Sequence, residues 1–338
     1  MARTPVDEAR LQAVAAAKRV HRALDLQQRA VEAGGQVDIF DAIAELDIAL
    51  IFKPLKSALG LCLPHPLRGI MVTTERSLHI QRITAAHELG HVILEHRGSI
   101  DRDILERGPF GPSQGRDIQE VEAEAFAAEF LLPRWLYRHH VRNQGWSLSH
   151  LRNPEIVYQL SLRMGASYEA TCWGLLGHQI LARGDVDTLR EAKVAKLKLG
   201  LGEEFRPADS WADVWKVTNR DDGATIIGNP DDLIRVELDE AVGSGFRWNA
   251  EALSQAGYEV LVDSSSFARD PLLYGAPARR ILIARPPGPS ATKLVLHETQ
   301  PWREAEQDDP VFAVELALHG KEKGGPARAD WRRRGVAR

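Results

Sequence analysis

QRITAAHELGHVIL, residues 81–94, is the stretch that decides the fold of the first part of this 338-residue chain. Apolar spacing predicts that residues 78–96 form a helix, on which His87 and His91, four positions apart, share one face. Two imidazoles one turn apart can reach the same ion, and Glu88 lies beside that ion, where its carboxylate can take a proton from water. The pattern therefore predicts His87 and His91 as metal ligands and Glu88 as the catalytic base.

A third ligand is expected from a later helix. A catalytic zinc ion takes three protein ligands and leaves one position for water. Because Arg97 stands where one class of H-E-x-x-H site has its third histidine, a carboxylate is the remaining common solution. Residues 118–132, IQEVEAEAFAAEFLL, are predicted to form the helix that supplies it, since their many alanines permit two helices to approach closely.

The glutamates of this second helix differ in the face that they occupy. Glu122 shares a stripe with apolar residues such as Ile118, so it is expected to point inward and ranks first as the third ligand. Glu129 lies near the same face two turns further on and is the second candidate. Glu120 and Glu124 are expected to face solvent.

Composition limits the class of protein. Apolar residues make up 44% and charged residues 27% of the chain, and its formal net charge is −4, which gives no indication of a nucleic-acid or membrane partner. The two cysteines, Cys62 and Cys172, form no CxxC pair and imply neither a disulfide framework nor a cysteine zinc site. The N-terminus lacks the apolar segment of a signal peptide, and no stretch is suited to span a bilayer, so a cytoplasmic location is expected.

The pattern of apolar, polar and turn residues along the chain predicts an α+β protein with four parts. Residues 1–143 contain the helical pair and three short strand patterns, and residues 144–204 are predicted to be helical. From 205 to 320, alternating runs such as DLIRVELD and VFAVELAL, separated by turn residues, indicate an antiparallel β-sandwich or barrel. The basic residues 321–338 are predicted to be a disordered tail.

Two segments, taken together, resemble the ImmA/IrrE family of metallopeptidases. They are residues 81–94 and residues 122–133, EAEAFAAEFLLP, and the similarity extends over roughly residues 10–185. The resemblance implies a gluzincin-like fold, in which a small mixed sheet packs on the helices that carry one zinc ion. It also implies that His87, His91 and Glu122 bind this ion and that Glu88 is catalytic.

Family members are regulatory endopeptidases of bacteria, phages and mobile elements, and several cleave a helix-turn-helix repressor. The resemblance therefore implies a zinc metalloendopeptidase that cleaves such a repressor in a stress-response switch. The alternative is a regulatory protein with an inert metal centre, which binds a transcription factor or peptide without cutting it.

Three further features bear on this function. Residues 154–182 have the rhythm of a helix-turn-helix, but their second helix carries no Lys or Arg, so direct nucleic-acid binding is not expected. Residues 97–117, rich in Gly, Pro, Asp and Arg, are predicted to form a mobile loop that covers the cleft. Tyr137, His139 or His140 is a candidate donor to a transition-state oxyanion.

The region 225–320 more loosely resembles the chagasin-type inhibitors of cysteine peptidases, which are immunoglobulin-like sandwiches. The matching segments are Asp232–Leu238, Gly243–Trp248, Gly275–Ile283, Gln300–Trp302 and Val311–Leu318. Glu240–Gly245, EAVGSG, replaces the inhibitors' first binding loop. We therefore expect the immunoglobulin-like fold to carry over without the inhibition, giving a domain that regulates the peptidase.

Overall fold

The computed structural model of the chain describes residues 4–63, 68–96, 100–101, 117–266, 278–289, 292–302 and 309–333. Most of the predicted loop 97–117 and the start of the segment Gly275–Ile283 lie outside the described residues. The chain divides into two compact units, the first within residues 1–141, 163–190 and 321–338, and the second within residues 142–162 and 191–320.

The helices are α1 (Pro5–Ala23), α2 (Leu26–Glu32), α3 (Ile39–Glu45), α4 (Leu78–Ile93), α5 (Ile118–Leu131), α6 (Arg134–Asn143), α7 (Pro154–Met164), α8 (Tyr168–Gly177), α9 (Arg183–Arg190), α10 (Val194–Leu201), α11 (Glu251–Gln255) and α12 (Arg328–Arg333). α1 begins in a capping box, in which the side chains of Thr4 and Asp7 bond reciprocally to backbone N–H groups. Asp25 has a φ of +48° and separates α1 from α2. None of the helices within the described residues combines the length and apolar character needed to cross a bilayer.

A five-stranded mixed sheet supports the helices of the first unit. Its strands are β1 (Ala49–Lys53), β2 (Gly60–Leu63), β3 (Gly69–Thr73), β4 (Ile100–Asp101) and β13 (Gly325–Pro326), in the order β13-β1-β3-β2-β4. β1 and β3 are parallel, whereas the other neighbours are antiparallel. α4 packs on β2 and β3, and α1 and α4 both pack on α5, so the predicted metal-binding helices lie between the sheet and α1.

Residues 321–333 include a strand and a helix, whereas a disordered tail was predicted for residues 321–338. β13 pairs with β1, and α12 packs on α3. Arg333 forms ion pairs with Asp41 and Glu45, while Arg332 pairs with Asp38. The acidic partners of these arginines lie almost 300 positions away in the sequence. The basic composition of residues 321–338 therefore indicated only a solvated tail.

The helical segment follows its sequence signals closely. α7 begins at Pro154 and ends before Gly165, whose φ of +64° is a left-handed conformation that glycine adopts without a steric penalty. The Ser167 hydroxyl then accepts a hydrogen bond from the Ala170 N–H at 3.1 Å and caps α8. The two helices with their short turn are those predicted from the sequence.

The second unit contains two four-stranded mixed sheets. Their strands are β5 (Val214–Thr218), β6 (Thr225–Gly228), β7 (Leu233–Glu240), β8 (Arg247–Trp248), β9 (Glu259–Ser266), β10 (Ala278–Arg285), β11 (Lys293–Thr299) and β12 (Val311–Leu318), in the orders β5-β7-β10-β9 and β6-β12-β11-β8. The predicted alternation in β12 is confirmed, since Phe312, Val314, Leu316 and Leu318 are all buried.

Strand direction in the second unit departs from the sequence expectation. The pairs β5–β7 and β6–β12 are parallel, whereas a wholly antiparallel arrangement was predicted. Alternating apolar residues indicate which face of a strand is buried, but they carry no information on the direction of its neighbour. The α+β class itself is confirmed, and the immunoglobulin-like arrangement of the sheets stays a prediction.

Candidate metal centre

α4 holds the two histidines of the H-E-x-x-H pattern on its buried face. His87 and His91 are one turn apart, and their Nε2 atoms lie 3.0 Å from each other. Their side chains are 2% and 0% exposed, so neither is a surface histidine. Burial, together with the neighbouring His87, lowers the pKa of His91 to about 3. The His91 imidazole is therefore neutral in the folded protein and keeps a lone pair for a metal ion.

Glu120 of α5 completes the group. Its Oε2 lies 3.3 Å from Nε2 of His87, and its Oε1 lies 3.5 Å from Nε2 of His91. A hydrogen bond from His87 lowers the pKa of the Glu120 carboxyl, which is therefore ionised near neutral pH. One ligand atom from each of the three residues lies within 4.8 Å of the others.

Glu122, the residue favoured as third ligand from the sequence, does not lie in this group. Its Oε2 contacts Nε2 of His96 at 3.0 Å. Glu129, the second candidate, lies on the side of α1, where its Oε1 is 3.6 Å from Nζ of Lys18. The structure thus brings His87 and His91 together with Glu120, which had been expected to face solvent.

The face of α5 that meets α4 is built from small residues. Ile118, which had suggested that the stripe of Glu122 points inward, is itself 46% exposed. Glu120 instead shares a face with Ala123 and Ala127, three and seven positions later, and both alanines are buried. The signal that could have identified Glu120 is therefore this alanine stripe, because a close helix–helix contact needs small side chains.

α4 and α5 lie close together at Gly90 and Ala123. A β-carbon placed on Gly90 would lie 3.1 Å from Cα of Ala123 and 3.2 Å from Cβ of Phe126. Ordinary carbon contacts are about 3.5–4.0 Å. The glycine therefore lets the two helices approach closely enough for ligands on both to reach one ion.

Glu88 lies on α4 between the two histidines and is fully buried. Its side chain packs against β2 at Gly60, where an added β-carbon would lie 2.8 Å from Oε1 of Glu88 and 2.5 Å from Cγ2 of Thr84. A larger residue at position 60 would force the side chain of Thr84 or Glu88 to shift. The strand and the helix together fix the position of Glu88 beside the histidine pair.

A second set of polar contacts continues outward from His91. Its Nδ1 lies 3.0 Å from Nδ1 of His96, and Nε2 of His96 contacts Glu122. Five positions along a continuous helix would place His96 on a different face from His91. The helix ends at Ile93, however, and the chain then turns back.

The three candidate oxyanion donors have different surroundings. The Tyr137 hydroxyl is fully buried and donates to the carbonyl of Thr171 at 3.2 Å. Nε2 of His140 bonds to the carbonyl of Gly35 at 2.8 Å. Burial lowers the pKa of His139. Tyr137 and His140 thus make contacts within the core.

The donor set fits a catalytic zinc ion. Two neutral imidazoles and one carboxylate form a ligand combination that zinc enzymes use, with the fourth position open to water. The buried histidines close one side of the group, while the Glu120 side chain is 34% exposed and leaves a side that water can reach. Closed four-residue coordination is typical of structural zinc sites, whereas the candidate group has three members within the part of the chain that the structure describes.

Comparison with known proteins matches the region that holds these residues to a protein family. Residues 43–175 match the family model described as the IrrE N-terminal-like domain, Peptidase_M78. The sequence matches none of the curated proteins.

Among solved structures, a cysteine protease inhibitor of Entamoeba histolytica is similar at 19% identity over 31% of this chain and 96% of its own, with a TM-score of 0.27. The solution structure of Amebosin is 15% identical over 31% of this chain and 96% of its own, with a TM-score of 0.24. A Mycobacterium tuberculosis transcriptional regulator is 14% identical over 83% of this chain and 81% of its own, with a TM-score of 0.30.

The family match and the metal-site geometry concern the same residues, since His87, Glu88, His91 and Glu120 all fall within the matched range. Residues 43–175 are therefore similar to the IrrE N-terminal-like domain of the Peptidase_M78 family, which confirms the resemblance to the ImmA/IrrE metallopeptidases seen in the sequence.

Proposed function

We propose that the chain is a zinc-dependent endopeptidase in which His87, His91 and Glu120 hold the ion and Glu88 is the catalytic base. The convergence of two imidazole nitrogens and one carboxylate within 4.8 Å, inside a peptidase-family domain, is the observation that carries this proposal. Glu88 adds support, because a glutamate buried between two histidine ligands has no role in a purely structural zinc site.

The chemistry divides between the ion and the protein. When bound, zinc would supply a Lewis acid that activates water and polarises the scissile carbonyl. Glu88 would accept a proton from the attacking water and deliver it to the leaving amine, as a general base and then a general acid. Packing against Gly60 of β2 would hold the Glu88 carboxylate in place, so that little reorganisation is needed at the moment of reaction.

The proposed substrate is a helix-turn-helix repressor, cleaved within its chain as part of a bacterial or mobile-element stress switch. This substrate class follows from the resemblance to the ImmA/IrrE family. Nucleic acid is not the proposed partner, because α8 is mostly apolar and carries neither Lys nor Arg.

The isosteric substitution Glu88→Gln tests the reaction. It keeps the shape of the side chain but removes its ability to accept a proton. Zinc content would be measured by atomic absorption, and cleavage by mass spectrometry after incubation with helix-turn-helix proteins encoded near this gene. Glu95→Gln, which changes an exposed glutamate of the same segment, is the matched control.

We expect the wild type and Glu95→Gln to bind one zinc ion per chain and to cut at a defined peptide bond. Glu88→Gln should bind zinc equally well and lose cleavage by about 10²-fold or more, the contribution typical of a general base. Equal cleavage by the wild type and Glu88→Gln would refute the catalytic role. Tight binding of a repressor without cleavage by either protein would instead favour the non-cleaving regulator.

A further inference from the structure

His96 is placed against the metal site by the way α4 ends. Glu95 has a φ of +56°, a left-handed conformation that is unfavourable for a residue other than glycine. The N–H of His96 donates to the carbonyl of His91 at 3.0 Å, and the N–H of Glu95 donates to that of Val92 at 3.4 Å. These two bonds form a Schellman motif, which reverses the chain and places the His96 ring over the last turn of the helix.

The resulting contacts link the side chains of His91, His96 and Glu122 in that order. Nδ1 of His96 lies 3.0 Å from Nδ1 of His91, and Nε2 of His96 lies 3.0 Å from Oε2 of Glu122. The side chains of His96 and Glu122 are 6% and 16% exposed, so water competes little for these bonds. We call His96 and Glu122 the outer pair.

One arrangement of protons satisfies both contacts with neutral imidazoles. Nε2 of His91 faces His87 and Glu120, so its lone pair must point to the ion and its proton must be on Nδ1. Nδ1–H of His91 then donates to the bare Nδ1 of His96, and Nε2–H of His96 donates to the Glu122 carboxylate. The Glu122 carboxylate can only accept a hydrogen bond, so it fixes the tautomer of His96. His96 in turn fixes the tautomer of His91.

We propose that His96 and Glu122 are positioning residues of the metal centre, which hold His91 in the tautomer and ring orientation that direct Nε2 to the ion. This inference rests on the proposed function, because it requires His91 to be a ligand. Groups that bond to the outer nitrogen of a ligating histidine contribute about 10–100-fold to metal affinity. α5 would thus serve the site twice, with Glu120 as a ligand and Glu122 as the anchor of His91.

The test measures zinc affinity of the full-length chain by competition with a chromophoric chelator. His96→Ala should weaken zinc binding about 10–100-fold. Glu122→Gln, which keeps an acceptor oxygen but loses the charge, should weaken it by a smaller factor. Glu95→Gln is the control and should bind as the wild type does. Circular dichroism of the metal-free proteins checks that all four are folded.

A second readout reports the tautomer directly. Long-range ¹H–¹⁵N spectra of the zinc-loaded wild type should show the His91 proton on Nδ1, and in Glu122→Gln the His96 Nε2 resonance should shift. A protein that merely needs these side chains for packing would not show that signature. Unchanged zinc affinity in both variants, or a His91 proton on Nε2, would overturn the proposal.

The outcomes separate the two proposals. Zinc binding that is absent from the wild type, or that survives both His87→Ala and Glu120→Ala, would contradict the proposed function and this inference with it. Zinc binding that requires His87 and Glu120 but ignores His96 and Glu122 would contradict only the role of the outer pair.

Discussion

Replacing Gly90 by alanine has two opposing effects on stability, a gain in helix propensity and a steric cost. In a helix interior, alanine is favoured over glycine by about 1 kcal/mol. The new methyl group, however, would lie 3.1 Å from Cα of Ala123 and 3.3 Å from its carbonyl oxygen, atoms of the α5 backbone that cannot rotate away. Overpacking of this kind costs about 1–3 kcal/mol. We therefore expect a net destabilisation of about 1 kcal/mol, because the steric cost exceeds the helix propensity.

The same substitution should weaken zinc binding, since relief of the contact moves Glu120 away from the histidines. Local stability would be measured by hydrogen exchange and mass spectrometry of peptides from α4 and α5, which reports the opening of each segment. Gly184→Ala is the matched control, because nothing lies within 4 Å of a β-carbon at that helical glycine. Slower exchange in Gly90→Ala than in the wild type, with zinc affinity unchanged, would refute the reasoning.

Three other predictions concern separate parts of the chain. Burial raises the pKa of Asp232 to about 7. In the window from about pH 4 to pH 7 the folded state holds a proton that the unfolded state has lost, so stability falls as the pH rises. Between about pH 5.5 and pH 8, the free energy of unfolding of the wild type, measured in urea, should fall by about 2 kcal/mol more than that of Asp232→Asn. Equal changes in the two proteins would contradict this. Gln81 exchanges two hydrogen bonds with the backbone of Glu322, at 3.0 and 2.8 Å. Gln81→Leu should cost about 2–4 kcal/mol, because it leaves buried backbone groups unpaired, and should speed hydrogen exchange at the C-terminal segment; unchanged exchange there would show that the contact is unimportant. Tyr137→Phe removes only the bond to Thr171, so it should cost about 1 kcal/mol in a thermal melt and leave peptide cleavage intact, whereas a large loss of cleavage would restore Tyr137 as an oxyanion donor.

Local sequence signals predicted the elements that carry the site. Periodicity placed α4 and α5 to within a few residues, and the spacing of His87 and His91 predicted their shared face. The proposed third ligand was harder to identify from the sequence, because α5 offers several glutamates within ten residues. Large apolar neighbours pointed to Glu122, whereas the contact with α4 uses alanines and selects Glu120.

Features that depend on distant partners were not predictable in this way. The end of α4 contains no glycine, so the turn at Glu95 that returns His96 to the site left no sequence signal. The pairing of Ile51 with Pro326 joins segments that are far apart in the sequence, and no local pattern encodes such a contact. The parallel strand pairs of the second unit are missed for the same reason.

The assignment of the three ligands can be tested most directly by anomalous diffraction at the zinc edge from crystals of the zinc-loaded protein. We predict one peak per chain, within bonding distance of Nε2 of His87, Nε2 of His91 and a carboxylate oxygen of Glu120, with Glu122 bonded to His96 instead. A peak coordinated by Glu122, or no peak beside the two histidines, would contradict the account.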